Sequence, residues 1–352
     1  MNAPALSYVL PLRWEGDEGL AELTGYLRRI AARAEVLVVD GSPPEVFAAH
    51  ARAWAGLVTH LRPDPDLRCA NGKVWGVLTG MRHAGAERVI VADDDVRYDA
   101  RALADVAALL EHADLVRPQN YFDPLPWHAL WDTARTLLNR GVGHDYPGTF
   151  GVRRSTFLRM GGYDGDVLFE NLELIRTVRA HGGVEVRPAH LHVRRRPPTT
   201  RRFWDQRLRQ AYDDTAQPLR MALFLAVLPA VGVALRGRHY RALAAGAGAL
   251  VALAEWGRRR GEGTRVFPLR ASLLAPVWVL ERGVCSWGAL AAAVSGRGVA
   301  YAGGRLRVAA HPSRALRRRA VRGRILAWRD LGTAGRDEAD RLVGAVAERF
   351  HG

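Results

Sequence analysis

The chain has 352 residues, 48% of them apolar, and a formal charge of +15 carried almost wholly by arginine. That length and apolar share exclude a disordered chain and fit one large domain with an appendage, or two modest domains. The two cysteines, Cys69 and Cys285, lie far apart, which excludes a disulfide framework and predicts a reducing compartment.

The N-terminus lacks a basic region followed by a long apolar core, so Ser7–Leu12 reads as a first strand and not as a leader. Further strands are predicted over Glu35–Val39, Leu57–Leu61, Arg88–Ala92, Asp114–Arg117, Thr149–Val152 and Val184–Val186. Between them the periodicity predicts helices over Gly19–Ala34, Pro44–Ala55, Gly72–His83, Ala100–Glu111, Trp127–Asn139 and Asn171–His181. This alternation predicts an α/β sheet with helices on both faces and a site at the carboxyl ends of its strands.

After residue 200 the character changes. Met221–Leu235, Ala242–Ala254, Ala271–Leu280 and Gly283–Val294 are apolar runs, each shorter than the ~20 residues of a membrane span. The link Arg236–Arg241 is basic, as are both outer flanks, which argues against a two-span hairpin. The expectation is helices lying in or re-entering the cytoplasmic face of the membrane, attracted to anionic lipid through arginine. A soluble helical subdomain and a true two-span hairpin are the alternatives. Residues 1–215 are expected to form the catalytic domain, 216–310 the apolar helical region and 311–352 a tail, basic and then amphipathic.

Chemistry concentrates in Arg88–Ala100, where three aspartates follow an apolar strand. Alternate residues of an extended segment point the same way, so Asp93 and Asp95 can converge while Asp94 points elsewhere. Two such carboxylates suit Mg2+ or Mn2+ with phosphate oxygens as further ligands. Taken alone, the triplet is equally an acidic turn capping the next helix. Lys73 is the only lysine and opens a helix after Asn71-Gly72, where an anionic ligand would explain it. Asp40 ends its strand before Gly41-Ser42 and can meet a base or ribose, or cap the next helix.

Strand-Asp-Gly-Ser, then Asn-Gly-Lys, then strand-Asp-x-Asp, resembles the family 2 glycosyltransferases of the GT-A fold. Gly161–Gly183 resembles the family's Gly-Phe-Asp…Glu-Asp…Arg…Gly block, and Arg201–Asp214 its Gln-x-x-Arg-Trp element. The likeness covers residues 6 to about 215, and the later Gly296–Val308 resembles the tail of membrane-bound enzymes of the ceramide glucosyltransferase type. The resemblance implies that Asp40 contacts the nucleotide base or ribose and that Lys73 lies beside base and diphosphate. It further implies that Asp93 holds the nucleotide, that Asp95 binds the metal, and that Gln206 and Arg209 flank the donor. Two departures stand out: Asn171 replaces the usual basic aspartate, and Gln210 the tryptophan. Glu170 is then the expected base, with Glu173 second. Trp127, His128, Asp145 and Tyr146 are expected on the acceptor side, and His192, alternating with His190, as a third metal ligand.

The expected function is an inverting, metal-dependent transfer from a nucleotide-sugar to a hydroxyl acceptor, which is a lipid, a lipid-linked glycan or a small molecule. A sugar-nucleotide pyrophosphorylase or nucleotidyltransferase would share the sheet, but Tyr8–Gly19 supplies no good phosphate loop. A basic membrane-binding module leaves the aspartates and Lys73 unexplained. The arginine clusters lack interleaved aromatics, so no nucleic acid partner is expected.

Overall fold

The computed structural model describes residues 4–301 and 304–321, so the amphipathic stretch Asp337–Phe350 lies outside the described residues. The strands are β1 (Ser7–Leu12), β2 (Glu35–Asp40), β3 (Thr59–Leu61), β4 (Arg88–Ala92), β5 (Val96–Arg97), β6 (Leu115–Val116), β7 (Gln119–Phe122), β8 (Thr149–Arg153), β9 (Glu185–Val186), β10 (His192–Arg195), β11 (Val299–Tyr301) and β12 (Gly304–Leu306). The helices are α1 (Leu20–Ala31), α2 (Pro44–Trp54), α3 (Gly72–His83), α4 (Ala100–Leu109), α5 (Trp127–Val142), α6 (Arg154–Arg159), α7 (Glu170–Ala180), α8 (Thr200–Asp205), α9 (Arg207–Asp213), α10 (Pro218–Arg236), α11 (Tyr240–Arg259), α12 (Leu269–Leu273), α13 (Ala275–Val294) and α14 (Ser313–Val321).

The main sheet runs β3-β2-β1-β4-β8-β6-β9. Only β8 is reversed, being antiparallel to both β4 and β6. The fold is therefore the α/β one expected, a mostly parallel sheet with helices on both faces. Period-2 alternation sorts each strand. Tyr8, Leu10, Val36, Val38, Ile90 and Ala92 pack with α1, α2 and α4, while Val9, Leu37, Val89 and Val91 pack with α3 and α7. Burial on both faces is why these strands are near-continuous apolar runs.

A second sheet, β5-β10-β7, was not expected. Its strands are short and polar (Gln-Asn-Tyr-Phe and His-Val-Arg-Arg), so no apolar alternation announces them. It carries β10 alongside the triple aspartate, with Arg195 opposite Val96.

The helical region packs back on α5 through Ala134, Leu137, Ala254, Ala271, Ala275 and Trp278. Of the run expected as Ala271–Leu280, the part from Ala275 joins Gly283–Val294 in α13, because Glu281 and Arg282 continue the helix instead of breaking it, while Ala271–Leu273 lies on α12. Thus α10 (19 residues) and α13 (20 residues) are, by length and composition, apolar enough to cross a membrane. Met221 is the one buried residue of α10.

Candidate active site

The carboxyl ends of β1, β2 and β4 open on a cavity of about 570 Å3. Its wall includes Arg13 and Trp14 after β1, Lys73 on α3, Asp93, Asp94 and Asp95 after β4, Glu170 and Asn171 on α7, and Arg195 on β10. Lys73 is placed by its helix start: the Asn71 side chain accepts from the backbone N–H of Lys73 and Val74 and caps α3.

Lys73 Nζ lies 2.7 Å from Asp93 Oδ1 and 2.7 Å from Glu170 Oε1. It also donates to Asn171 Oδ1 at 3.3 Å. Arg195 holds the other side: its Nε reaches both Asp95 oxygens at 2.9 and 3.0 Å, and its Nη2 lies 3.3 Å from Asp93 Oδ2. Asp93 and Asp95 converge with a guanidinium between them, but through a turn closed by Val96 N donating to the Asp93 carbonyl at 3.1 Å, not through the extended alternation expected. Asp94 turns the other way and accepts from Trp14 Nε1. Gly148 lets this happen, since a Cβ there would sit 2.5 Å from Asp93 Oδ2.

Burial disfavours the Lys73 cation, but Asp93 and Glu170 outweigh it and hold the ammonium protonated well above its ordinary range. Burial likewise opposes ionised Asp93, and Lys73 with Arg195 overcomes that and lowers its pKa. Asp95 is different. Burial, with Asp93 and Asp94 adding repulsion, pushes it up to about 6 despite Arg195. Hard carboxylate oxygens that converge fit Mg2+ or Mn2+, with Arg195 as the group that must yield part of its contact.

Several expected site residues are brought to the cavity: Lys73, Asp93, Asp95, Glu170, Gln206, Arg209 and Tyr146 all line it. Others are not. Asp40 is fully buried and accepts from Ser42 N, His50 Nδ1 and His60 Nε2 at 2.9, 2.7 and 3.0 Å. It shares the parity of Val36 and Val38 and so faces α2, away from any nucleotide. His192 packs edge-on against Phe267, with burial lowering its pKa to about 4, and it is three residues down β10 from the aspartates. Glu173 is fully buried and accepts from the backbone N–H of His311 at 2.7 Å. Being three positions along α7, it points to the segment before α14 and not into the cavity. Asp145 is bound by Arg135, Thr136 and Asn139 at 2.8, 2.7 and 2.7 Å, which fixes α5. His128 Nε2 pairs with the Pro198 carbonyl at 2.7 Å, and Trp127 lies half-exposed beside Phe203 and Trp204.

The Asp40 cluster yields a stability prediction. Burial works against its anion, but hydrogen bonds from His60, Ser42 and His50 hold it well below the usual carboxylate range. A depressed folded pKa stabilises above the unfolded value near 4 and is lost as pH falls through the folded one. Asp40→Asn should cost roughly 2–3 kcal/mol at pH 7 and abolish much of the wild-type acid loss below about pH 4, as read by urea denaturation across pH.

Sequence reasoning missed Arg195, which looked like one of a surface run Arg194-Arg195-Arg196, and also Arg282, Asp213, Asp214, Arg220 and Tyr301, all in the cavity wall. Asn171 acquires a role too: its Nδ2 donates to the Pro147 carbonyl at 3.1 Å, a bond that an ionised aspartate cannot make.

No protein-family profile and no curated protein matches the chain. Among solved structures, a mannosyltransferase from Pyrobaculum calidifontis in complex with GDP-Man and Mn2+ is similar at 20% identity. The match spans 97% of this chain and 84% of that one, with a TM-score of 0.45. Mannosyl-3-phosphoglycerate synthase from Rubrobacter xylanophilus is 16% identical over 56% of this chain and 69% of its own, with a TM-score of 0.39. A mycobacterial protein is 17% identical over 58% and 72%, with a TM-score of 0.40. At these scores the likenesses decide nothing about chemistry, which rests on the geometry of the cavity.

Proposed function

We propose that the chain is a GT-A glycosyltransferase that moves a sugar from a nucleoside diphosphate to an acceptor oxygen. The observation that carries this is the meeting of Lys73, Asp93, Asp95, Glu170 and Arg195 at the strand ends, in a cavity rich in guanidinium groups. Asp93 and Asp95 would hold a Mg2+ or Mn2+ ion, which when bound offsets charge on the departing diphosphate. Lys73, held by Asp93, Glu170 and Asn171, would bring positive charge to the same phosphates. Arg209, whose guanidinium has no ion pair among the described residues and lies over the Tyr301 ring at 5.5 Å, is free to grip them through its fork. Trp14 and Arg13, in the cavity wall after β1, would cover the base. A single displacement inverts the sugar's anomeric centre. For a hydroxyl acceptor, Glu170 is the cavity carboxylate positioned to take the proton.

The test is product analysis with a panel of nucleotide-sugars. Release of nucleoside diphosphate together with a glycosylated acceptor supports the proposal. Release of pyrophosphate, or a nucleotide joined to sugar phosphate, would instead identify a nucleotidyltransferase.

We also infer that the chain works on the cytoplasmic membrane face. Leu219, Leu223, Val233 and Leu235 on α10, and Val277, Val284 and Trp287 on α13, are exposed, an apolar surface suited to lipid. The link from α10 to α11 carries Arg236, Arg238 and Arg241, charges suited to anionic headgroups. Membrane-bound protein should be released by detergent but only partly by high salt. Full release by salt would leave no role for the apolar faces.

A further inference from the structure

The cavity does not end at the aspartates. It continues to Asp213, Asp214, Arg220 and Arg282 on α9, α10, α13 and the turn between α9 and α10. Arg282 is 2% exposed, and neither its Nε nor its Nη1 has a hydrogen-bond partner. Its nearest carboxylate oxygen, Asp214 Oδ2, is 3.6 Å away, and the other Asp214 oxygen forms an ion pair with Arg220 Nε at 2.8 Å. Burial pushes Asp213 up to about 8, so it is neutral at pH 7. Three guanidiniums (Arg209, Arg220 and Arg282) and the two carboxyls of Asp213 and Asp214 line this end of the cavity. A buried cation with unmet donors is costly, and an incoming oxyanion would satisfy it.

The three positions expected to supply the base are each engaged elsewhere. Glu170 is held by Lys73 at 2.7 Å, Asn171 is an amide, and Glu173 is turned away to His311. A nucleophile that arrives already ionised needs none, and a phosphate monoester, with its second pKa near 6, is such a nucleophile at pH 7. The helices bearing Arg220 and Arg282 are the two long apolar ones, and Leu219 and Leu223 beside Arg220 are exposed.

We propose that the acceptor is a long-chain lipid phosphate, its phosphate seated on Arg220 and Arg282 and its chain lying along α10 and α13. This rests on the glycosyltransferase reading. A phosphate oxygen lone pair forms the bond to the sugar's anomeric carbon. The bond from that carbon to the donor's diphosphate breaks, its electron pair leaving on the nucleoside diphosphate. No proton is released from the dianionic acceptor.

The experiment incubates the full chain in detergent with donor and, separately, a polyprenyl phosphate, the uncharged alcohol of the same chain, a short water-soluble alkyl phosphate and inorganic phosphate. Glycosyl phosphate should form on the long-chain phosphate and not on its alcohol. Arg282→Gln, and separately Arg282→Lys, should raise the acceptor KM at least about tenfold while donor affinity stays within twofold. Unchanged donor affinity also reports that each variant is folded. Equal use of the alcohol, or an unmoved acceptor KM in both variants, overturns the anionic subsite. Equal use of the short phosphate overturns the lipid. Donor turnover by water with none of these acceptors overturns the inference alone, whereas absence of donor binding overturns the glycosyltransferase reading beneath it.

Discussion

Asp95→Asn should lower kcat/KM for sugar transfer by about two to three orders of magnitude, the usual effect of removing one electrostatic partner of a leaving group. The amide keeps the size of the carboxylate, so α4, the strands and the cavity wall remain in place. What goes is half of the converging anionic pair. Arg195 exchanges a bidentate anionic partner, met at 2.9 and 3.0 Å, for a single neutral amide oxygen, and keeps its 3.3 Å contact with Asp93. The loss should fall on kcat and on metal-dependent donor affinity together. A variant with wild-type turnover would remove Asp95 from the reaction.

Lys73→Met should be both less stable and unable to bind donor. The ammonium sits 2.7 Å from Asp93 and 2.7 Å from Glu170, and its side chain is 21% exposed. Taking it away leaves two carboxylates facing each other without their shared cation, a loss of about 3 kcal/mol for a largely buried pair. Thermal unfolding should show the lower midpoint, and calorimetry with the donor should show no heat. Lys73→Arg should restore much of the stability and little of the binding, because a planar fork cannot occupy a pocket shaped for a compact ammonium.

Much of this site was legible before the fold was known. The pairing of Asp93 with Asp95 was expected from strand alternation but is delivered by a turn after β4, and the singular lysine marked itself by composition. Asp40 could have been placed correctly by the same parity: it continues Val36 and Val38, which face α2, whereas Asp93 continues Val89 and Val91, which face α3. Arg195 was not legible. Its position depends on β10 pairing antiparallel with β5 and parallel with β7, a register set by backbone bonds between segments about a hundred residues apart in one case. Arg282 was hidden for a related reason. A charged pair inside an apolar run looks like a break, yet Arg207 lies 3.5 Å from Glu281, so the helix continues through a buried charge cluster.

The most direct measurement is donor affinity of the wild-type chain for GDP- and UDP-sugars, titrated with Mn2+ or Mg2+ and repeated in chelator. A divalent ion shared by Asp93, Asp95 and the diphosphate predicts tight binding with metal, at least about tenfold weaker binding in chelator, and no such difference in Asp95→Asn. Equal affinity with and without metal would contradict it and leave Arg195 as the cation that serves the two carboxylates.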